Sequence, residues 1–418
     1  MITWANLRAS AAPWLVLPAL FYVGLYIDDV AYPVPSRYGV ESGELAAFAM
    51  AVIAPAVAGA AAWEAGRHRR LGAMRATSAR PFPQEFVRAA TPVLILHLVL
   101  VLGALAIARR AIGVWPGGGA GWLAVVHLVV LPFGWLVIGW CLGLILPRSV
   151  AAPLVGIGSW AWLSMPHAAA NPWLRHLSGF IDGTSTVTDV RQPAVFAVPW
   201  LVVAGFALAV GTLAGGRRRP WTAVVGVLVA AATFTAGRSL VIDWGYQPPT
   251  SPRQVAMTCT GQAPKVCVPP EFAPYAAQLR QDALTPIARL KAAGIAAPEE
   301  LSVASAEAPF KPGTWPLYWS LAGLDDGGDH PRHIANLAEA AVTGTAALAG
   351  VADCRQPGSP AAAWAALVMG FNEQNMRQGM PPADWEALQR VRSLSSTEQT
   401  AWFNGAVASQ KHCVRGVE

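Results

Sequence analysis

Seven apolar runs occupy most of residues 11–242, and this succession excludes most of what a chain of 418 residues can become. Each is about as long as a helix needs to cross a bilayer, which takes roughly 17–25 residues. In lipid, every backbone polar group of such a segment must be satisfied internally, so each run is expected to be a helix. The runs are Ala11 to Ile27, Leu45 to Trp63, Thr91 to Ala108, Trp122 to Leu146, Val150 to Met165, Ala194 to Ala214 and Trp221 to Ile242. The fold class they predict is an all-α polytopic membrane protein of about seven transmembrane helices. Its setting is the lipid bilayer of the cell membrane.

Charge orients the array. Residues 1–245 hold 17 arginines, no lysine and 9 acids, whereas residues 246–418 hold 13 basic and 15 acidic residues. The basic excess belongs to the apolar half, so it is no nucleic-acid footprint. With the N-terminus inside, cytoplasmic segments carry 11 arginines against two acids, and exterior segments up to Asp243 carry 6 arginines against 7 acids. Cytoplasmic enrichment in arginine favours that orientation and puts everything after the seventh run outside the cytoplasm. Residues 1–10 read as a short amphipathic elbow at the cytoplasmic interface. The first run reads as a signal anchor, since no short cleavable leader precedes it. The loop from Asp28 to Glu44, with four acids against Arg37, reads as exterior.

Small features sharpen individual runs. Gly139 and Gly143 give the fourth run a small-xxx-small face suited to close helix packing. Arg238, near the end of the seventh, is expected to snorkel to the headgroups. Between the fifth and sixth runs, Trp173, Leu177 and Phe180, with Leu174 and Ile181 beside them, mark a short amphipathic helix. It is too short to span, and either lies on the surface or enters the bilayer part-way.

After Asp243 the composition becomes that of a soluble domain, mostly helical, reached through a Pro-rich linker over residues 243–258. Four of the five cysteines are there: Cys259, Cys267, Cys354 and Cys413. An even count in a segment placed outside the cytoplasm reads as two disulfides, with Cys259–Cys267 and Cys354–Cys413 the favoured pairing of three. Cys141, within the fourth run, reads as a small apolar residue. Expected helices are residues 270–293 (interrupted near Pro286), 331–349, 359–378, 382–393 and 396–412, with Ser395 and Glu398 as a capping box. A short strand is expected near Leu301 to Ala304.

The stretch between the second and third runs is the most distinctive. Five arginines (Arg67, Arg69, Arg70, Arg75, Arg80) follow Glu64, Leu71 and Met74 give a short helix a small apolar ridge, and Pro81 should end it. With Thr77, this pattern resembles the coupling helix of ABC-2-type transporter permeases, and the layout of residues 1–215 resembles that family as a whole. The resemblance implies a six-span membrane domain over residues 1–220. It also implies a separate ATPase subunit docked on Glu64, Arg67, Arg69, Arg70, Leu71, Met74, Arg75 and Thr77, and a second permease copy. Export would then be the activity, with an added seventh helix at 221–242 and a Cys-containing domain at 259–418 resembling those of actinobacterial permease-like proteins. These additions leave an alternative open, a non-transporting sensor, immunity or scaffold protein presenting an external binding domain. Glu64 itself reads equally as a functional carboxylate or a solvated interfacial one.

Motifs for chemistry in the chain itself are absent. There is no Gly-x-x-x-x-Gly-Lys-Ser/Thr phosphate loop, no His-Glu-x-x-His and no Gly-x-Ser-x-Gly, so no enzymatic activity and no cofactor are expected. Asp325, Asp326, Asp329, His330 and His333 have ligand chemistry for a divalent ion, yet they read as an acidic loop before a helix, and no metal is assigned.

Overall fold

A computed structural model describes residues 10–31, 36–70, 82–182, 187–215, 220–303, 313–317, 330–346 and 359–410. The chain forms two compact units, divided essentially between Thr250 and Ser251, with residues 34–36 and 187–189 also belonging to the second.

The first unit is helical. It contains α1 (Ala12–Asp28), α2 (Gly39–Phe48), α3 (Met50–Arg70), α4 (Phe82–Ile112), α5 (Gly118–Ile145), α6 (Arg148–Ser164), α7 (Pro172–Ser178), α8 (Ala194–Gly215) and α9 (Pro220–Val241). Four of these are long and apolar enough to cross a membrane (α4, α5, α8, α9), or five if α2 and α3 together make one span. At 17 residues, α1 is roughly 26 Å long, at the short end of what a bilayer core requires. The protein is therefore a helical membrane protein. Outward faces are apolar, as on α1, where Trp14, Leu17, Phe21 and Leu25 are all exposed.

Small residues line the seam where α3 meets its neighbours, and large ones such as Trp140, Phe196, Leu96, Leu100 and Leu128 fill the rest of the core. α3 packs on α5 and α6 and brings Ala54, Ala58, Ala61, Ala62 and Ala65 into the core. Lipid tails give apolar side chains no reason to prefer the interior, so helices associate through close backbone approach. Gly139 and Gly143 make that approach possible, because a Cβ on either would overlap the carbonyl oxygen of Ala58 or Ala62. The packing face expected on α5 is thus the one that meets α3.

The expected exterior loop before the second run is different in the structure. Residues 39–48 are helical, and Glu41 and Glu44 are buried rather than solvated. Glu44 is accommodated because Arg191 Nε donates to its Oε1 at 3.1 Å, both side chains being almost wholly enclosed. α2 and α3 meet at an angle of 43°. The break falls at Ala49, whose N–H reaches back to Ala46 O in a tightened turn, and not at Pro55.

The second unit has its own core and more strand than expected. Its strands are β1 (Thr258–Thr260), β2 (Lys265–Val268), β3 (Glu300–Ser302) and β4 (Thr314–Pro316). They form one sheet in that order, β1–β2 antiparallel, β2–β3 and β3–β4 parallel. Helix α10 (Ala276–Ala292) makes the crossover from β2 to β3 and continues through Pro286 without interruption. The remaining helices are α11 (His330–Ala346), α12 (Pro360–Met369), α13 (Glu373–Gly379), α14 (Pro382–Arg392) and α15 (Ser396–Gln410).

The strand expected near Leu301 is β3, and the unit is mostly helical as expected, with three further short strands that the sequence reading did not foresee. Large residues fill this core, including Phe272, Leu279, Leu301, Trp315, Leu337, Trp364 and Phe403. Trp364 stacks on Phe403 and donates Nε1–H to Gln399 Oε1 at 2.9 Å, so its polar atom is satisfied where it is buried. The capping box is present: Ser395 N–H and Oγ–H both reach Glu398 Oε2, at 2.9 and 2.6 Å.

Candidate functional site

Two polar clusters stand out in the first unit. The first lies where α3 ends. Glu64 is buried there, and Oε1 accepts from Ser10 Oγ–H at 3.0 Å and from the Ala11 N–H at 3.1 Å. Its other oxygen accepts from Arg67 Nη1 at 2.7 Å. Glu64 is thus no solvated interfacial residue, since three donors replace the water a buried carboxylate forfeits. One turn on, Arg69 Nη1 donates to Ile145 O at 2.9 Å, placing a cation at the C-terminus of α5, where orphan carbonyls and the helix dipole favour it. Arg148, at the start of α6, lies with its guanidinium 4.5 Å from the centre of the Trp63 ring. Together these contacts join the segment before α1 and the ends of α3, α5 and α6. Arg70 closes α3. Leu71, Met74, Arg75 and Thr77 lie outside the described residues.

The second cluster surrounds the short helix α7, which sequence reading placed between the fifth and sixth runs. Gly179 closes this helix with φ +79°, a left-handed turn suited to glycine. Leu177 and Ile181 are buried as the apolar periodicity predicts, and Trp173 packs edge-on against Phe234 of α9. Arg238, expected to snorkel, is exposed with its guanidinium 5.3 Å from the Trp173 ring centre.

Around the turn is a cavity of about 30 Å³, lined by His167, Arg175, His176, Asp182, Arg191 and Tyr246 among others. That is room for roughly two waters or the oxygens of one small anion. Arg175 is held rigidly: Nη1 donates to Tyr246 O at 2.8 Å, Nη2 to His167 O at 3.1 Å, and the guanidinium lies 5.6 Å from the Tyr246 ring centre. Tyr246 Oη in turn donates to Ala170 O at 2.9 Å. His176 Nε2–H donates to Gly245 O at 2.7 Å.

Burial pushes the His167 imidazole below its usual range, Arg175 pushes the same way, and Asp182 opposes them. His176 is also lowered, first by burial, partly offset by the hydrogen bond to Gly245 and reinforced by Arg175 and Arg191. Both rings are therefore neutral at neutral pH.

The floor of this cavity is tied to the helices. Trp200 Nε1–H on α8 donates to Nδ1 of the buried His127 on α5, at 2.7 Å. That leaves His127 Nε2–H to donate to Gly179 O, also at 2.7 Å, and so assigns the tautomer.

Of the cysteines, Cys259 and Cys267 are joined by a disulfide between facing positions of β1 and β2, as expected, and Cys141 is a buried free thiol. Cys354 and Cys413 lie outside the described residues, as do Asp325, Asp326 and Asp329. Among the described residues no group of three or more His, Cys, Asp or Glu side chains could hold a metal ion. Sequence reading missed the α7 cavity and the Glu44–Arg191 pair, whose members are 147 residues apart.

A family model described as "Domain of unknown function (DUF7224)" matches residues 266–413, wholly within the second unit. No curated protein and no solved structure matches the chain.

Proposed function

We propose that the chain is an ABC-2-like permease subunit, driven by a separate ATPase that docks on residues 64–81 and paired with a second permease copy. The observation that carries this reading is the clamp at the end of α3. A transporter without its own motor needs a stiff path from docking element to spans. Glu64 ties the end of α3 to Ser10 and Ala11 before α1, and Arg69 ties it to the last carbonyls of α5. A push on the stretch that follows Arg70 would be delivered to several helices at once.

In this reading α1 and α6 complete a seven-span array with a cytoplasmic N-terminus. The second unit lies outside the cytoplasm, closed by a further Cys354–Cys413 bridge, and export of a substrate is the activity. The second reading, a non-transporting sensor, immunity or scaffold protein, draws on α9 and the appended unit, which exceed the six-span layout.

The test is detergent co-purification from the native host. Wild type should carry an ATPase subunit with it. A Leu71→Asp, Met74→Asp double change forfeits the burial of two apolar anchors, about 1.5–3 kcal/mol each, and should lose that partner while still inserting. Retention of the partner by the double variant, or wild type emerging without any ATPase, would favour the sensor.

A further inference from the structure

The cavity beside α7 has the features of a ligand site that neither the coupling clamp nor the helix packing uses. We infer that it binds a phosphate-type oxyanion, held between Arg175 and His167. This inference stands whether or not the chain is a permease.

Three observations carry it. Arg175 is fixed in place by neutral acceptors alone, two backbone carbonyls and the face of Tyr246, and forms no ion pair among the described residues. Carbonyls orient a guanidinium but do not neutralise it. Arg191, on the same wall, differs in having the Glu44 carboxylate as counter-charge, so the two arginines are not equivalent.

His167 is the second observation. Both of its ring nitrogens are enclosed, and neither has a hydrogen-bond partner among the described residues. A buried polar atom left this way is destabilising, and an oxyanion oxygen in the cavity would accept the ring N–H and remove that cost.

The third is the balance of charge and shape. The one carboxylate on the cavity wall, Asp182, is 63% exposed, and its Oδ2 is 3.6 Å from His167 Nδ1, beyond hydrogen-bonding range. Solvent screens it, while the guanidinium and imidazole line one concave space, where an oxyanion would accept a charge-assisted hydrogen bond from the guanidinium. Among the described residues no group of three or more His, Cys, Asp or Glu side chains is arranged here to hold a cation instead. Both the free ion and a phospholipid headgroup present the required chemistry. Trp173, Trp244 and Tyr246 close by are the residue types that sit at headgroup level.

The experiment uses the full chain in two arms. In neutral detergent after delipidation, inorganic phosphate is titrated by calorimetry. In nanodiscs of phosphatidylcholine with phosphatidylglycerol, lipid retained on release is counted by native mass spectrometry. Wild type should bind in at least one arm, and Arg175→Gln should weaken that binding about tenfold or more, the loss of a charged hydrogen-bonding partner. Lys291→Gln, which alters an exposed cation of the second unit, should leave it unchanged. Binding of phosphate alone identifies a soluble oxyanion, and retention of phosphatidylglycerol alone identifies a headgroup.

Should Arg175→Gln fail to fold, His167→Leu reports instead, since the His167 side chain makes no hydrogen bond whose loss could unfold the turn and its backbone carbonyl still accepts from Arg175. Binding in neither arm, or equal binding by wild type and the cavity variants, overturns the inference.

Discussion

The two units both bury large side chains, and they differ in how closely their backbones approach. Along the seam between α3 and α5 the close contacts are alanine and glycine, the backbones nearly touching at Ala58 and Gly139 and at Ala62 and Gly143, while Trp140, Met50 and Ile53 are buried beside them. Around β2 and α12 the core is Phe272, Trp315, Trp364 and Phe403. Where such side chains leave water, each contributes about 1.5–3 kcal/mol. In lipid a leucine gains little by leaving hydrocarbon, and packing must come from fit.

The largest effect should come from emptying the second core. Trp364→Ala removes a fully buried indole and its bond to Gln399, which should cost the second unit about 3–5 kcal/mol in chemical denaturation. The helices of the first unit should keep their unfolding midpoint. If both units lost stability together, their cores would not be independent.

Filling, rather than emptying, is the sensitive change in the first unit. Gly143→Leu places a side chain where Ala62 O now lies, and should cost about 1–3 kcal/mol by overpacking, read as a lower unfolding midpoint in detergent. An unchanged midpoint would mean that α3 and α5 can part freely, contrary to close packing as the source of their association.

The smallest effect concerns pH and separates the units once more. His167 and His176 have depressed folded values, mainly from burial, with Arg175, Arg191 and Asp182 as the facing charges. Below about pH 6.5 the unfolded chain takes up protons that the folded one refuses. Their contribution is therefore complete above that pH and is lost as pH falls through the folded values.

In the second unit, Glu373 is lowered chiefly by its hydrogen bond from Arg392, and Glu398 by that from Ser395. Their contribution is present above the usual carboxylate value of 4.5 and is lost only as pH falls below it. Acid titration monitored separately for each unit should show the first weakening earlier. The reverse order would break the comparison.

What could be read from the sequence follows the range of the interaction. The capping box at Ser395 and Glu398 and the Cys259–Cys267 bridge were legible because their partners are close along the chain. So was the α5 packing face, because glycines four apart leave one stripe of a helix bare. Strands of three or four residues such as Thr258–Thr260 and Thr314–Pro316 carry no periodicity, and only lateral pairing makes them strands. Glu41 and Glu44 misled for a related reason: a carboxylate looks solvated until its distant partner is known. The cavity at His167, Arg175 and Tyr246 draws on segments that no spacing rule connects.

The pair between Glu44 and Arg191 has a consequence for how the chain is made. Arg191 leaves the ribosome 147 residues after Glu44, about 7–30 s later at roughly 5–20 residues per second. Throughout that interval the helix bearing Glu44 lacks the cation that lets it be buried, so α2 cannot settle against its neighbours until the segment before α8 arrives. A nascent chain halted short of residue 191 should leave this helix undocked and open to proteolysis. The bundle thus has a built-in order of closing, with an arginine made late acting as the latch on one of its earliest helices.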